Sequence, residues 1–188
     1  MMDYVGVYDN VLPVDLCKDI IDKFETHTEQ HESTVLNGHR SFTEINITKN
    51  VNTWLSVQDT LMDTAQDYLG RYMTQFGIDG KSWPEKLGYE QFRMKRYQPN
   101  DTDEFSFHVD VGDYASARRF LVYFWYLNDV QEGGETAFQR NRNTPIEAKV
   151  TPQAGRLLIF PPLWTHPHIG MKPISGPKYI IGSYLHYV

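Results

Sequence analysis

The run Arg119-Phe120-Leu121-Val122-Tyr123-Phe124-Trp125-Tyr126-Leu127 limits the fold more than any other stretch of the chain. Successive side chains of a strand point to opposite faces, and after the arginine both sets here are apolar or aromatic. Such a run is predicted to be a central strand with a packed layer on each side.

Candidates for the helical layer come first in the chain. Pro13 and Asp15 open a helix whose Leu16, Ile20 and Phe24, with Cys17 and Ile21, form one apolar stripe. A second helix is predicted over Val57 to Phe76, where Leu61, Met62, Ala65, Tyr68, Leu69, Tyr72, Met73 and Phe76 recur at steps of three and four. A short strand-like start, Tyr4 to Tyr8, precedes both. The polar stretch Thr28 to Arg40 reads as a loop, and His27, His31 and His39 fall on no strand or helix period.

From Gly88 the texture changes to strands and turns. Strands are predicted at Tyr89 to Tyr97, Phe105 to Asp110, the central run, Glu135 to Phe138, Gly155 to Phe160 and Lys178 to Tyr187. Gly133-Gly134 marks a tight turn, Arg140 to Asn143 a polar loop, and Asp101, Asp103 and Glu104 an acidic loop leading into the second strand. Two helices followed by short strands predict an α+β, mainly β fold, with the helices packed on one face of a β-sandwich or jelly roll. At 188 residues the chain is expected to be one domain, 1–188, with helices over about 13–76 and a β core over about 88–187.

The formal net charge of −6 argues against broad nucleic-acid or anionic-membrane binding. Cys17 stands alone, which rules out an internal disulfide framework or a cysteine metal cluster. The start Met1-Met2-Asp3-Tyr4-Val5 lacks a basic region followed by an apolar run, and no window has the apolar length of a membrane span. A soluble, cytoplasmic protein is the expectation.

Phe105-Ser106-Phe107-His108-Val109-Asp110 alternates as a half-buried strand does, which sends His108 and Asp110 to one face. An imidazole and a carboxylate side by side are two of the three ligands of a 2-His-1-carboxylate facial triad, an arrangement suited to non-haem Fe(II). The third ligand must come from a distant strand. His166 and His168, in Trp164-Thr165-His166-Pro167-His168, share parity, so strand geometry alone does not choose between them. Ten residues beyond His168, Lys178 opens an otherwise apolar strand. A cation leading into a buried strand needs an anionic partner, and a ligand carboxylate would serve.

These residues make the chain resemble the Fe(II)/2-oxoglutarate-dependent dioxygenases, and within them the prolyl 4-hydroxylase-like branch, over about Gly88 to Tyr187. His108-Val109-Asp110 fits the first two iron ligands. Arg119 with Tyr126-Leu127-Asn128, the Glu132-Gly133-Gly134-Glu135-Thr136 turn, and Pro152 through Gly155 to Phe160 match the strands between. The family's distal spacing of His, Gly, Gly and Lys falls on His168, Gly170, Gly176 and Lys178, and does not fit if counted from His166. Pro173 stands one position later than the proline usual in collagen-type relatives, the loop before His108 is longer than in some, and Tyr184 replaces their tryptophan.

The resemblance implies a double-stranded β-helix with N-terminal support helices, and His108, Asp110 and His168 as iron ligands. It implies Lys178, Tyr126 and Tyr97 as co-substrate contacts, and Arg119 and Tyr184 on the substrate side. Fe(II), 2-oxoglutarate and O2 would be required, with ascorbate as a further cofactor. The implied reaction is hydroxylation of a peptidyl prolyl residue in a proline-containing peptide or protein, coupled to decarboxylation of 2-oxoglutarate to succinate and CO2. A free amino acid or small metabolite as substrate, and a catalytically silent binding module, are the alternatives. A Zn- or Mn-dependent cupin-like isomerase ranks behind them. Trp83, Trp164, Arg140 and Arg142 are further candidates for a substrate path.

Overall fold

A computed structural model describes residues 3–36 and 39–188. The chain runs β1 (Gly6–Tyr8), α1 (Val14–Thr26), β2 (Glu32–Leu36), β3 (Arg40–Asn46) and α2 (Val51–Gln75). Then come β4 (Leu87–Tyr89), β5 (Arg93–Tyr97), β6 (Phe105–His108), β7 (Arg119–Tyr126) and β8 (Thr136–Phe138). The last four strands are β9 (Ala148–Val150), β10 (Leu157–Phe160), β11 (His168–Gly170) and β12 (Lys178–Tyr187).

All the strand pairs are antiparallel, in the order β1-β10-β7-β12-β5-β3-β6-β11-β8-β9, with β2 added to β3 and β4 to β12. Among the described residues the two halves of this order, β1 to β3 and β6 to β9, join through a single register pair, Arg40 with Phe105. The result is the double-stranded β-helix with two N-terminal helices.

The central strand is β7, and its parity builds two separate cores. Leu121, Tyr123 and Trp125 pack with Cys17, Ile20 and Phe24 of α1 and with Trp54, Leu61, Ala65 and Tyr72 of α2. Val122 and Tyr126 point the other way, into the barrel, with Tyr97, Phe138, Leu158, Phe160 and Ile180. The same alternation sorts β12: Tyr179, Ile181 and Leu185 face the helices, Ile180 the barrel interior. Burying a side chain of this size contributes roughly 1.5–3 kcal/mol, so the helical layer is a structural requirement of the sheet. No helix among the described residues is long and apolar enough to cross a membrane.

Several expected boundaries need correction. The loop read over Thr28 to Arg40 contains a 3-10 turn at Thr28–Gln30 and all of β2, while Asn37 and Gly38 lie outside the described residues, as do Met1 and Met2 of the expected leaderless start. Strand β2 is largely exposed, so its formation rests on backbone pairing with β3 and leaves no hydrophobic alternation to read. Helix α2 begins at Val51, earlier than periodicity suggests, because the buried Trp54 is anchored by its Nε1 donating to Gln30 Oε1 at 2.8 Å. The strand read over Tyr89 to Tyr97 is two, β4 and β5. Between the pairs Tyr89–Leu185 and Gly182–Arg93, residues 90–92 face only Ser183 and Tyr184 of β12, and the Phe92 amide turns away to Thr48 Oγ1, so the ladder breaks.

Candidate metal centre and its two pockets

His108 ends β6 and His168 begins β11, and the two are register partners across the barrel's second half. Asp110 lies two residues beyond the end of β6, where its amide and that of Val111 bond the Pro162 carbonyl. The predicted strand therefore stops short of the carboxylate, and the turn that follows still delivers it. Asp110 Oδ1 lies 3.6 Å from His108 Nε2 and Oδ2 lies 3.5 Å from His168 Nε2. One donor atom from each residue lies within 4.8 Å of the others.

Both imidazoles are oriented by their own backbone. His108 Nδ1 donates to the Ser106 carbonyl at 2.6 Å, and His168 Nδ1 to the His166 carbonyl at 3.1 Å. A carbonyl can only accept, so each ring keeps its proton on Nδ1 and turns a bare Nε2 inward. The Phe105 ring stacks on His108 with centroids 3.5 Å apart. The three side chains are 9, 4 and 2% exposed in sequence order. Among the described residues His168 Nε2 and Asp110 Oδ2 are buried with no hydrogen-bond partner. Orphaned buried acceptors of this kind are costly. Two neutral nitrogens and one carboxylate oxygen converging on one point are a donor set that fits a divalent first-row metal.

The electrostatics agree. Burial pushes the Asp110 carboxyl up, but the two imidazoles and the Tyr184 hydroxyl outweigh it and hold the group below the usual carboxylate range. Burial pulls His168 down to about 4 against the pull of Asp110, so its ring is neutral and able to ligate at ordinary pH.

Two pockets meet at the triad. The narrow inner one is lined by Tyr97, Thr136, Gly170, Lys178 and Ile180. Lys178 is 2% exposed; its Nζ donates to the Gly134 carbonyl at 3.0 Å and lies 4.6 Å from the Tyr97 ring centroid. Burial brings it down to about 7, with Glu135 opposing. Tyr126 sits behind this wall, its hydroxyl 2.6 Å from Thr136 Oγ1, so of these two residues Thr136 is the one that lines the pocket. The outer cleft, of about 880 Å³, opens over His108 and Asp110 between Glu90, Arg93, Arg118, Arg119 and His186.

Arg119 and Tyr184 line that cleft, already engaged. The Arg119 guanidinium donates to both Glu90 carboxylate oxygens at 2.9 and 2.8 Å and to the Asp110 carbonyl at 3.1 Å, and it lies 4.0 Å from the Tyr184 ring centroid. Tyr184 donates to Asp110 Oδ1 at 2.8 Å. His166 is not turned toward the triad: its Nε2 pairs with the Asp3 carbonyl and its Nδ1 with Thr165 Oγ1. Trp83 packs on Phe120, Arg142 lies over Phe107, and neither they nor Trp164 and Arg140 line either pocket. Sequence reasoning missed Glu90, Thr136 and Lys95, and set His39 aside as a ligand because no strand or helix period aligned it. His39 hydrogen-bonds Ser106 Oγ and lies 6.1 Å from the His108 ring. Lys95 shares parity with Tyr97 on β5, a signal that was available.

Residues 92–186 match the family model described as the 2OG-Fe(II) oxygenase superfamily. No curated protein sequence matches the chain. Among solved structures, a viral collagen prolyl hydroxylase from Paramecium Bursaria Chlorella virus-1, in its 2OG complex, superposes with a TM-score of 0.68 at 19% identity, covering 99% of this chain and 97% of that one. A Trichoplax adhaerens prolyl hydroxylase, in complex with a hypoxia inducible factor oxygen degradation domain peptide fragment, gives 0.76 at 17% identity over 98% and 84%. A Pseudomonas putida prolyl-4-hydroxylase gives 0.67 at 18% over 99% and 94%. At these identities the likeness is one of fold.

Proposed function

Because the chain belongs to the 2OG-Fe(II) oxygenase superfamily, we propose that it is a 2-oxoglutarate-dependent hydroxylase, prolyl 4-hydroxylase-like, acting on a peptidyl prolyl residue. The observation that carries this reading is the set of buried donor atoms of His108, Asp110 and His168, two of them without any partner among the described residues. These three residues would hold Fe(II), and the family implies 2-oxoglutarate beside it. With both bound, O2 is consumed, 2-oxoglutarate becomes succinate and CO2, and a substrate C–H bond becomes C–OH.

The chain's own residues supply placement. Lys178 would pair with the far carboxylate of 2-oxoglutarate, with Thr136 and Tyr97 walling the same pocket. Such a charge-assisted bond is about twice as strong as a neutral one. Tyr184 holds Oδ1 of Asp110, which leaves Oδ2 for the metal. Phe105 and Phe124 give both pockets an apolar wall, and Ile180 adds to that of the inner one. Ascorbate would act as the supporting reductant. The peptidyl-prolyl assignment draws on the Trichoplax and Chlorella virus proteins, both described as prolyl hydroxylases, the former in complex with a peptide fragment. The Tyr184 departure from tryptophan keeps a free amino acid in the comparison.

Anaerobic addition of Fe(II) and 2-oxoglutarate should produce a weak visible charge-transfer band. It should vanish in His168→Ala and survive in His166→Ala. Mass spectrometry across Pro-containing peptides should then show a gain of one oxygen with stoichiometric succinate. Folded wild-type protein without the band would overturn the reading.

A further inference from the structure

The wall shared by the inner pocket and the outer cleft contains one cation, Lys95, with no ion pair among the described residues. Lys95 lies on β5 between Glu44 of β3 and Ile180 of β12 and lines both pockets. Its Nζ is 4.7 Å from the Phe42 ring centroid and 5.9 Å from that of Phe105, the ring stacked on His108. Among the described residues no hydrogen bond or ion pair reaches it. Its cross-strand neighbour Glu44 is taken up by Arg93 at 3.2 Å and Thr34 at 3.3 Å. The other acids of the cleft are also engaged: Glu90 by Arg119, Asp113 by Ser116, and Asp110, whose charge also acts on Lys95 but without an ion pair, by Tyr184. Arg40, which makes no ion pair among the described residues, adds a second cation on the same Phe105 ring, 5.8 Å from its centroid. A chain of formal charge −6 thus lines its cleft with unanswered positive charge on the His108 side.

A partly buried ammonium held against aromatic rings has lost much of its hydration and is stabilised by an anion brought to it. Both lysines border the inner pocket, but of the two only Lys95 also borders the outer cleft, so it is the one placed to meet a ligand held there. We propose that the cleft takes a substrate bearing a carboxylate, which pairs with Lys95 while the C–H bond to be hydroxylated lies over the triad. This rests on the oxygenase reading above and adds a substrate class to it. The carboxylate is either the α-carboxylate of a free or N-acylated amino acid or an acidic side chain beside the target residue in a peptide.

The test uses wild-type protein loaded with Mn(II), a redox-silent stand-in for iron, and 2-oxoglutarate, with calorimetry on two matched pairs. One is N-acetyl-L-proline against its amide; the other is acetyl-Asp-Pro-Asp-amide against acetyl-Asn-Pro-Asn-amide. One anionic probe should bind at least about tenfold more tightly than its neutral partner, as one desolvated charge pair would give; which pair shows this identifies the source of the carboxylate. Lys95→Met should erase the preference and Lys95→Arg keep it, with 2-oxoglutarate affinity and melting temperature near wild type in both. No preference for either anion, a preference that persists in Lys95→Met, or a matching loss of 2-oxoglutarate binding in that variant would overturn the proposal. Wild-type protein that binds Mn(II) and 2-oxoglutarate yet ignores both anions leaves the oxygenase reading standing; protein that binds neither overturns both.

Discussion

Tyr184 spans the gap between sequence and site at the scale of one residue. Its hydroxyl bonds Asp110 Oδ1 and its ring lies under Arg119, which Glu90 clamps through both oxygens. That chain of contacts fixes which carboxylate oxygen turns inward. Tyr184→Phe is expected to weaken Mn(II) binding about tenfold, as loss of a partner to a metal ligand commonly does, with the melting temperature in chelator little changed. Calorimetry checks it, and unchanged affinity would remove Tyr184 from this role. Lys178→Met should cost about 3 kcal/mol of 2-oxoglutarate binding, because an unpaired buried carboxylate remains. The pH dependence has a definite sign. In the free protein Lys178 loses its proton around pH 7, whereas a bound carboxylate favours the ammonium. Affinity for 2-oxoglutarate should therefore fall as pH rises above about 7, by up to roughly tenfold per unit. His168 interferes only at the acid end, near 4. Spectral titrations of 2-oxoglutarate across that range would show a flat or rising curve if Lys178 were not the anchor.

Elements carry these residues, and the short ones were the hardest to read. The strand from Lys178 to Tyr187 and the helix stripe of α1 were legible, because long apolar periods leave one solution. Strands β2, β3 and β9 were not, since they are short or polar and exist through pairing with neighbours the sequence does not name. Phe42 and Glu44 of β3 alternate with Ile45 on the other face, but a glutamate in a barrel wall looks like a loop until Arg93 is placed beside it. Gly155 shows how tightly one turn is set. Its φ is +77° and an added Cβ would lie 2.2 Å from the Leu12 carbonyl oxygen, while its own carbonyl accepts from Val11 and Leu12. Gly155→Ala is expected to destabilise the fold by about 1–3 kcal/mol, measured by urea denaturation. A neutral result would mean that the β1–α1 connection gives way freely.

The whole molecule depends on one sheet buried from both sides. The helix-side core takes residues from α1, α2, β7, β10 and β12 together, so neither layer has an apolar face of its own to spare. We therefore propose that residues 1–188 act as a single cooperative unit, and thermal unfolding should show one transition with fluorescence and circular dichroism coincident. Two separated transitions would divide the helices from the barrel. Phe24→Ala, at the helix–sheet contact, should lower that single transition by about 3–5 kcal/mol. Local rules of period and parity were enough for the sequence to determine the buried central strand, the helical stripes, the His108–Asp110 pairing and the candidacy of Lys178. What only the tertiary structure decided was which groups are left without partners. Whether a buried Asp110 oxygen, a His168 nitrogen or the Lys95 ammonium is satisfied depends on every neighbour within a few ångströms, and those neighbours come from strands far apart in the chain.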